Sequence, residues 1–279
     1  VVDNCINEGN VTGEGSGLGG IVGLSYYSIQ NCENKGEIQN ASIDTGKCRN
    51  IAGIVGWSVG SIANCSNSGN ITASSTSSSY VGGIAGLHNT SSSGNSVLPI
   101  LLENCFNTGN ISGKSYVGGI VGTLGTGASI YSCYNIGSVM GADRVGGIIG
   151  HTVAKTGESK NLYNKGTVTA TTEHVGGIVG VLYNTLANAY NTGTVSMTSS
   201  NTNFGGIVGY INPSNATIDI IQNCYYLNTS STKAVGNIST IDTSSSKTNE
   251  EIKGLAEILG EAFKSSTEGD NYPKLSWES

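Results

Sequence analysis

Short apolar runs alternate with polar positions through most of the chain, and they return on a schedule. One unit reads N-C-x-N-x-G-x-[IV], at Asn4 to Val11, Asn31 to Ile38, Asn64 to Ile71 and Asn104 to Ile111. Looser copies follow at Ser132 to Val139, Asn161 to Val168 and Asn188 to Val195, with a partial one at Asn223-Cys224-Tyr225. Cys65, Asn67, Gly69 and Ile71 lie two apart, so an extended strand puts them on one face. A second unit reads [VI]-G-G-I-V-G, as at Val81 to Gly86, Val117 to Gly122, Val145 to Gly150 and Val175 to Gly180, with variants from Leu18, Ile51 and Phe204.

The distance from one N-C to the next varies from 27 to 40 residues, so a core unit is kept and insertions fall between its parts. A unit this short cannot bury a core alone, whereas stacked units can. The pattern predicts an all-β fold: a right-handed parallel β-helix (a solenoid) of about eight coils, with three short strands per coil. The handedness follows the general preference of parallel crossovers. At ~4.8 Å per strand the rod is roughly 40 Å long. Files of Cys, Asn and Ile/Val are expected down its interior. Glycine at this density argues against a helical repeat, because each would cost about 1 kcal/mol in a helix interior.

Past Tyr226 the pattern changes. Residues 1–226 read as the solenoid, 227–246 as a Ser/Thr-rich linker and 247–279 as a helical cap. Thr248 with Glu251 three residues on makes a capping box. Ile252, Leu255, Ala256, Leu259 and Phe263 recur at helical spacing. An amphipathic helix of about four turns is expected, laid over the open end of the last coil to block edge pairing.

Composition narrows the function. The 42 Gly with only 3 Pro exclude collagen. A net charge of −6 with scattered basic residues leaves no footprint for nucleic acid. No apolar run reaches ~20 residues, so no membrane insertion is expected. The chain opens inside a repeat, which reads as an excerpt of a longer protein. Of seven cysteines, Cys5, Cys32, Cys65, Cys105, Cys133 and Cys224 share one repeat position and Cys48 lies in an insertion. Leu162 and Ala189 fill the same position elsewhere, which suits packing rather than ligation. With no C-x-x-C, no metal or other cofactor is expected.

The residue after Cys reads Ile6, Glu33, Ser66, Phe106, Tyr134, Tyr163, Tyr190 and Tyr225. It should point outward and form an aromatic strip. Two readings are open: mutual packing under a cover, or a platform for a sugar or partner. A looser set follows the G-G-I-V-G units: Tyr26, Tyr27, Trp57, His88, His151, Tyr183 and Tyr210, expected in turns. Glycoside hydrolysis would need paired carboxylates. Glu33 and Glu37 find no acidic match in the next coil, and Asp143, Glu158 and Glu173 fall in variable segments. No catalytic residue is therefore assigned.

The G-G-I-V-G runs together with N-x-G-x-[IV], over roughly residues 1 to 226, resemble the GLUG-motif repeats of bacterial surface proteins. The resemblance implies a secreted or wall-attached bacterial protein. Some such repeats accompany an IgA-cleaving zinc metallopeptidase, which needs an H-E-x-x-H helix. His88, His151 and His174 stand in no such context. The expected role is a non-catalytic structural or adhesive segment, acting as a monomer, with a glycan or host surface protein as partner. The alternatives are a carbohydrate-binding module using the aromatic strip and, behind it, a polysaccharide-active enzyme.

Overall fold

The computed structural model describes residues 1–42, 49–73, 80–90, 100–212, 220–238 and 245–279. Cys48 lies outside them. The chain winds as a parallel β-solenoid of about seven turns with almost no helix. Each turn passes through three faces, forming parallel sheets of thirteen, twelve and seven strands among the described residues. The first face carries the Cys and Asn positions, as in Ser66–Asn67 and Ala128–Asn135. The second carries Ile71–Ala73 and Val81–Gly82, fused in later turns into Val139–Gly146 and Val168–Gly176. The third carries the end of the G-G-I-V-G unit, as in Val121–Leu124 and Val179–Leu182.

Register follows the motif. Asn67 pairs with Asn34 and Asn107, and Ile71 with Ile38 and Ile111. Cys133, Leu162, Ala189 and Cys224 succeed one another in one file. The Asn before each Cys has a local role of its own: Asn4, Asn31, Asn64, Asn104, Asn161, Asn188 and Asn223 all adopt φ between 49° and 58°. Asparagine is among the few residues that enter this left-handed region readily. Ser132 takes the same conformation in the fifth turn.

The second Asn file is fully buried from Asn34 to Asn191. Nδ2 of Asn7 donates to Oδ1 of Asn34, and the relay continues through Asn67, Asn107, Asn135, Asn164 and Asn191 at 2.7–2.8 Å. The other N–H of each amide goes to the glycine carbonyl two residues on, as from Asn107 to Gly109 at 2.7 Å. The contact spanning the 40-residue repeat, Asn67 to Asn107, is as short as the one spanning 27 from Asn7 to Asn34. Insertions therefore leave the stack undisturbed.

The two motif halves need each other. A Cβ placed on Gly53, Gly83, Gly119 or Gly147 would stand 2.3–2.7 Å from the side chains of Asn67, Asn107, Asn135 and Asn164. The second glycine of G-G clears the space that the amide file occupies. Apolar residues on either side form two clusters. One holds Ile54, Cys65, Ile84, Cys105 and their equivalents, the other Ile71, Val81, Ile111 and Val117.

The winding continues past Tyr226. Ile207 and Val208 donate to the Ala234 carbonyl, and Ala234 and Val235 are buried in the first cluster. Ala234-Val235-Gly236 is a shortened I-V-G, so the described part of the Ser/Thr-rich stretch lays down most of a further turn. Tyr226 takes the place of the next Asn and ends the amide file, its ring filling the space beside Gly206. Ser246–Lys247 then adds one parallel strand to Tyr226–Leu227.

The C-terminal segment differs from the single helix expected. Thr248 and Glu251 form the capping box on α1 (Asn249–Lys253), and α2 (Ala256–Leu259) follows after Gly254. Gly260, at φ +88°, ends α2, and Phe263–Lys264 pairs antiparallel with Lys274–Leu275. Ile252, Leu255, Leu259, Phe263 and Leu275 pack with Tyr163 and Tyr190 on the outer side of the first face. The segment is thus a lateral strap rather than a plug in the end of the last coil. The outward tyrosine file offers a stacked aromatic surface, and the apolar side chains of the segment cover it.

Candidate functional site

The aromatic strip exists, in register, from Phe106 through Tyr134, Tyr163 and Tyr190 to Tyr225. Successive rings from Phe106 to Tyr190 stack with centroids 4.8–5.1 Å apart and planes within 9°. The strand spacing of parallel sheets, ~4.8 Å, sets that distance. Tyr163 and Tyr190 are buried beneath the strap, and Phe106, Tyr134 and Tyr225 are half-buried. The Tyr163 hydroxyl donates to Glu278 at 2.9 Å, and that of Tyr190 to the Pro273 carbonyl. The Trp277 ring lies 5.8 Å from that of Tyr134, and its Nε1 donates to the Ser132 carbonyl at 3.0 Å. Lys165 pairs with Asp270 at 3.0 Å. Burial, followed by the Glu278 charge, pushes the Tyr134 phenol up. Burial likewise raises the Glu278 carboxyl. At its centre the strip is the seat of the chain's own C-terminus.

The looser aromatic set separates into four. Trp57, His151 and Tyr210 occupy one outward position of the third face, alongside Leu24, Leu87, Thr123 and Val181. They sit on strands, not in turns. His88 is one residue further on and points inward. It is fully buried, and neither ring nitrogen has a hydrogen-bond partner. Tyr183 lies just beyond its strand, 5.6 Å from the His151 ring, and its hydroxyl accepts from Asn212. Tyr26 and Tyr27, at 61% and 72% exposure, stand open on the surface.

The cysteine file is chemically quiet. The six described cysteines are free, and each thiol from Cys32 to Cys133 donates to the carbonyl two residues back at 3.1–3.2 Å. Burial pushes Cys32 up to about 11 and Cys224 up to about 12, so both are protonated at neutral pH and poor nucleophiles.

A cluster absent from the sequence expectations lies where the second face begins its G-G unit. Tyr116, Arg144 and His174 have φ of 56°, 53° and 49°, at the position held by Gly17 and Asn50 in the early turns. Asp143 and Glu173 precede them and are register partners. His174 Nδ1 is 2.7 Å from Asp143 Oδ1 and 3.4 Å from Glu173 Oε2. Arg144 binds the other Asp143 oxygen and lies over the Tyr116 ring at 4.8 Å. Rings extend the cluster edge to face: Tyr80 on Tyr116, Tyr116 on His151, and His174 on Tyr210. The signal was present: Asp143 and Glu173 each stand two residues before the Val of V-G-G. Their distances from the preceding N-C position are unequal, which obscures the match in the sequence.

The sequence matches no protein-family model and no curated protein. Among solved structures the chain is similar to a crystal structure from Bacteroides ovatus carried under the provisional name of an immunoglobulin A1 protease, with a TM-score of 0.63 and 19% identity. The match covers 95% of this chain and 88% of that one, and at this identity it shows a common fold, a parallel β-solenoid along nearly the whole length.

Proposed function

We propose that the chain is a non-catalytic structural and adhesive segment of a bacterial surface or secreted protein. One observation carries this reading: the amide file keeps 2.7–2.8 Å contacts through seven turns whatever the length of the intervening insertion. Such a stack is a stiff support on which loops can vary freely, or which can hold another domain at a distance. The resemblance of the repeats to GLUG-motif surface proteins supports an extracellular setting. The fold shared with the B. ovatus protein supports the solenoid alone, and the protease activity in that protein's name is not carried over. The partner on this reading is a glycan or host surface protein met by the loops, and the protein acts as a monomer. The strap disfavours a sugar platform on the first face, because it buries Tyr163 and Tyr190.

The test is to immobilise the chain and pass host glycoproteins over it, immunoglobulin A1 included. The expected result is retention without cleavage, lost when the insertions at 91–99 and 213–219 are replaced by Gly-Ser of equal length. Cleavage of any glycoprotein or polysaccharide by the purified chain would overturn the reading.

A further inference from the structure

The cluster formed by Asp143, Glu173 and His174 is not explained by a scaffold role. A neutral imidazole carries one N–H, and here two carboxylates converge on the same nitrogen. Asp143 Oδ1, at 2.7 Å, takes that hydrogen bond, while Glu173 Oε2 stands 3.4 Å from the nitrogen with no second proton to share. The Asp143 and Glu173 carboxylates are themselves brought within 4.8 Å of each other. Arg144 offsets one of the two negative charges, through the Asp143 oxygen turned away from His174. Like charges held this close raise each other's energy.

We propose that Asp143, Glu173 and His174 bind one divalent first-row transition cation, of which zinc is the type, and that the ion fastens two successive turns at this corner. Four-coordinate zinc at ~2.0–2.2 Å from N and O ligands places those ligands roughly 3.3 Å from one another. The three donor atoms already lie within 4.8 Å, so side-chain adjustment alone closes the set. Three protein ligands leave a fourth position for water or a partner's donor. One imidazole with two carboxylates favours zinc, manganese or iron over magnesium and calcium, which take oxygen alone, and over copper(I), which takes thiolate. The surroundings resemble the support such ligands have elsewhere. Arg144 holds the second oxygen of Asp143, and Tyr210 meets the His174 ring at 4.9 Å and 76°, restricting its plane.

The experiment uses the whole chain, free of any affinity tag and stripped with chelator, titrated calorimetrically with zinc, magnesium and calcium. Cobalt(II) absorption reports the ligand type. The expected result is one equivalent of zinc, with magnesium and calcium at least a hundredfold weaker. The cobalt spectrum should show weak ligand-field bands without thiolate charge transfer. His174→Ala and Asp143→Asn should each lower zinc affinity at least tenfold and abolish the rise in Tm that zinc gives the wild type. Glu173→Gln, at a half-exposed side chain, is the variant least liable to disturb folding and should weaken zinc by a similar factor. No binding at millimolar zinc, binding unchanged in all three variants, or a thiolate band in the cobalt spectrum would each overturn the proposal.

Discussion

Replacing Asn107 with alanine tests the amide file at its middle. The Asn107 side chain accepts from Asn67 Nδ2 and donates to Asn135 Oδ1 and to the Gly109 carbonyl, all at 2.7 Å and all buried. Removing it strands three polar groups: one N–H of Asn67, the Oδ1 of Asn135 and the carbonyl of Gly109. A buried group left unpaired costs about 1–3 kcal/mol. The substitution should therefore destabilise by roughly 3–9 kcal/mol, a large part of the ~5–15 kcal/mol of a typical domain. The same change at Asn7 is the internal control. Asn7 is only half-buried and its amide meets one neighbouring Asn, so fewer groups are stranded and water can reach them. Its expected cost is about 1 kcal/mol. Urea denaturation followed by circular dichroism measures both, and hydrogen exchange should show the loss spreading from the turns beside residue 107. Equal costs at the two positions would refute the idea that the amides act as a buried relay, and would make them merely well-packed side chains.

Two further tests address the strap and the buried histidine. Phe263→Ala removes an aromatic ring from the cluster over Tyr190 and should cost about 3–5 kcal/mol. It should also shift Trp277 emission as that ring leaves Tyr134 and Phe106; an unchanged spectrum with full stability would mean the strap does not bind there. Burial holds the His88 imidazole down to about 3, from about 6.5 when exposed. Between those values the unfolded chain binds a proton that the folded chain refuses, so stability falls as pH drops from 6.5 toward 3, by about 1.4 kcal/mol per pH unit. His88→Leu should remove that much slope and leave the region above pH 7 flat. A variant whose pH profile parallels the wild type would show that His88 finds a partner in solution.

The interior was legible in the sequence because a solenoid repeats its own contacts. When every turn offers the same residue at the same place, alternation within one turn decides what stacks on the next. The Cys, Asn and Ile/Val files therefore needed no knowledge of distant parts of the chain. The reason glycine doubles in G-G was not legible, since it depends on Asn67 reaching across the interior to Gly53, a contact between faces rather than along one. In the C-terminal segment the apolar spacing and the cap at Thr248 are legible, but the surface it covers is not. Burial of apolar area is non-directional, so Ile252, Leu255 and Phe263 announce that they must be covered without saying by what. Only the folded molecule, by stacking the tyrosines into one outward file, decided it. The corner of Asp143, Glu173 and His174 lies between these cases: its register was written beside each V-G-G, but the convergence of three side chains on one point is a property of the turn they share.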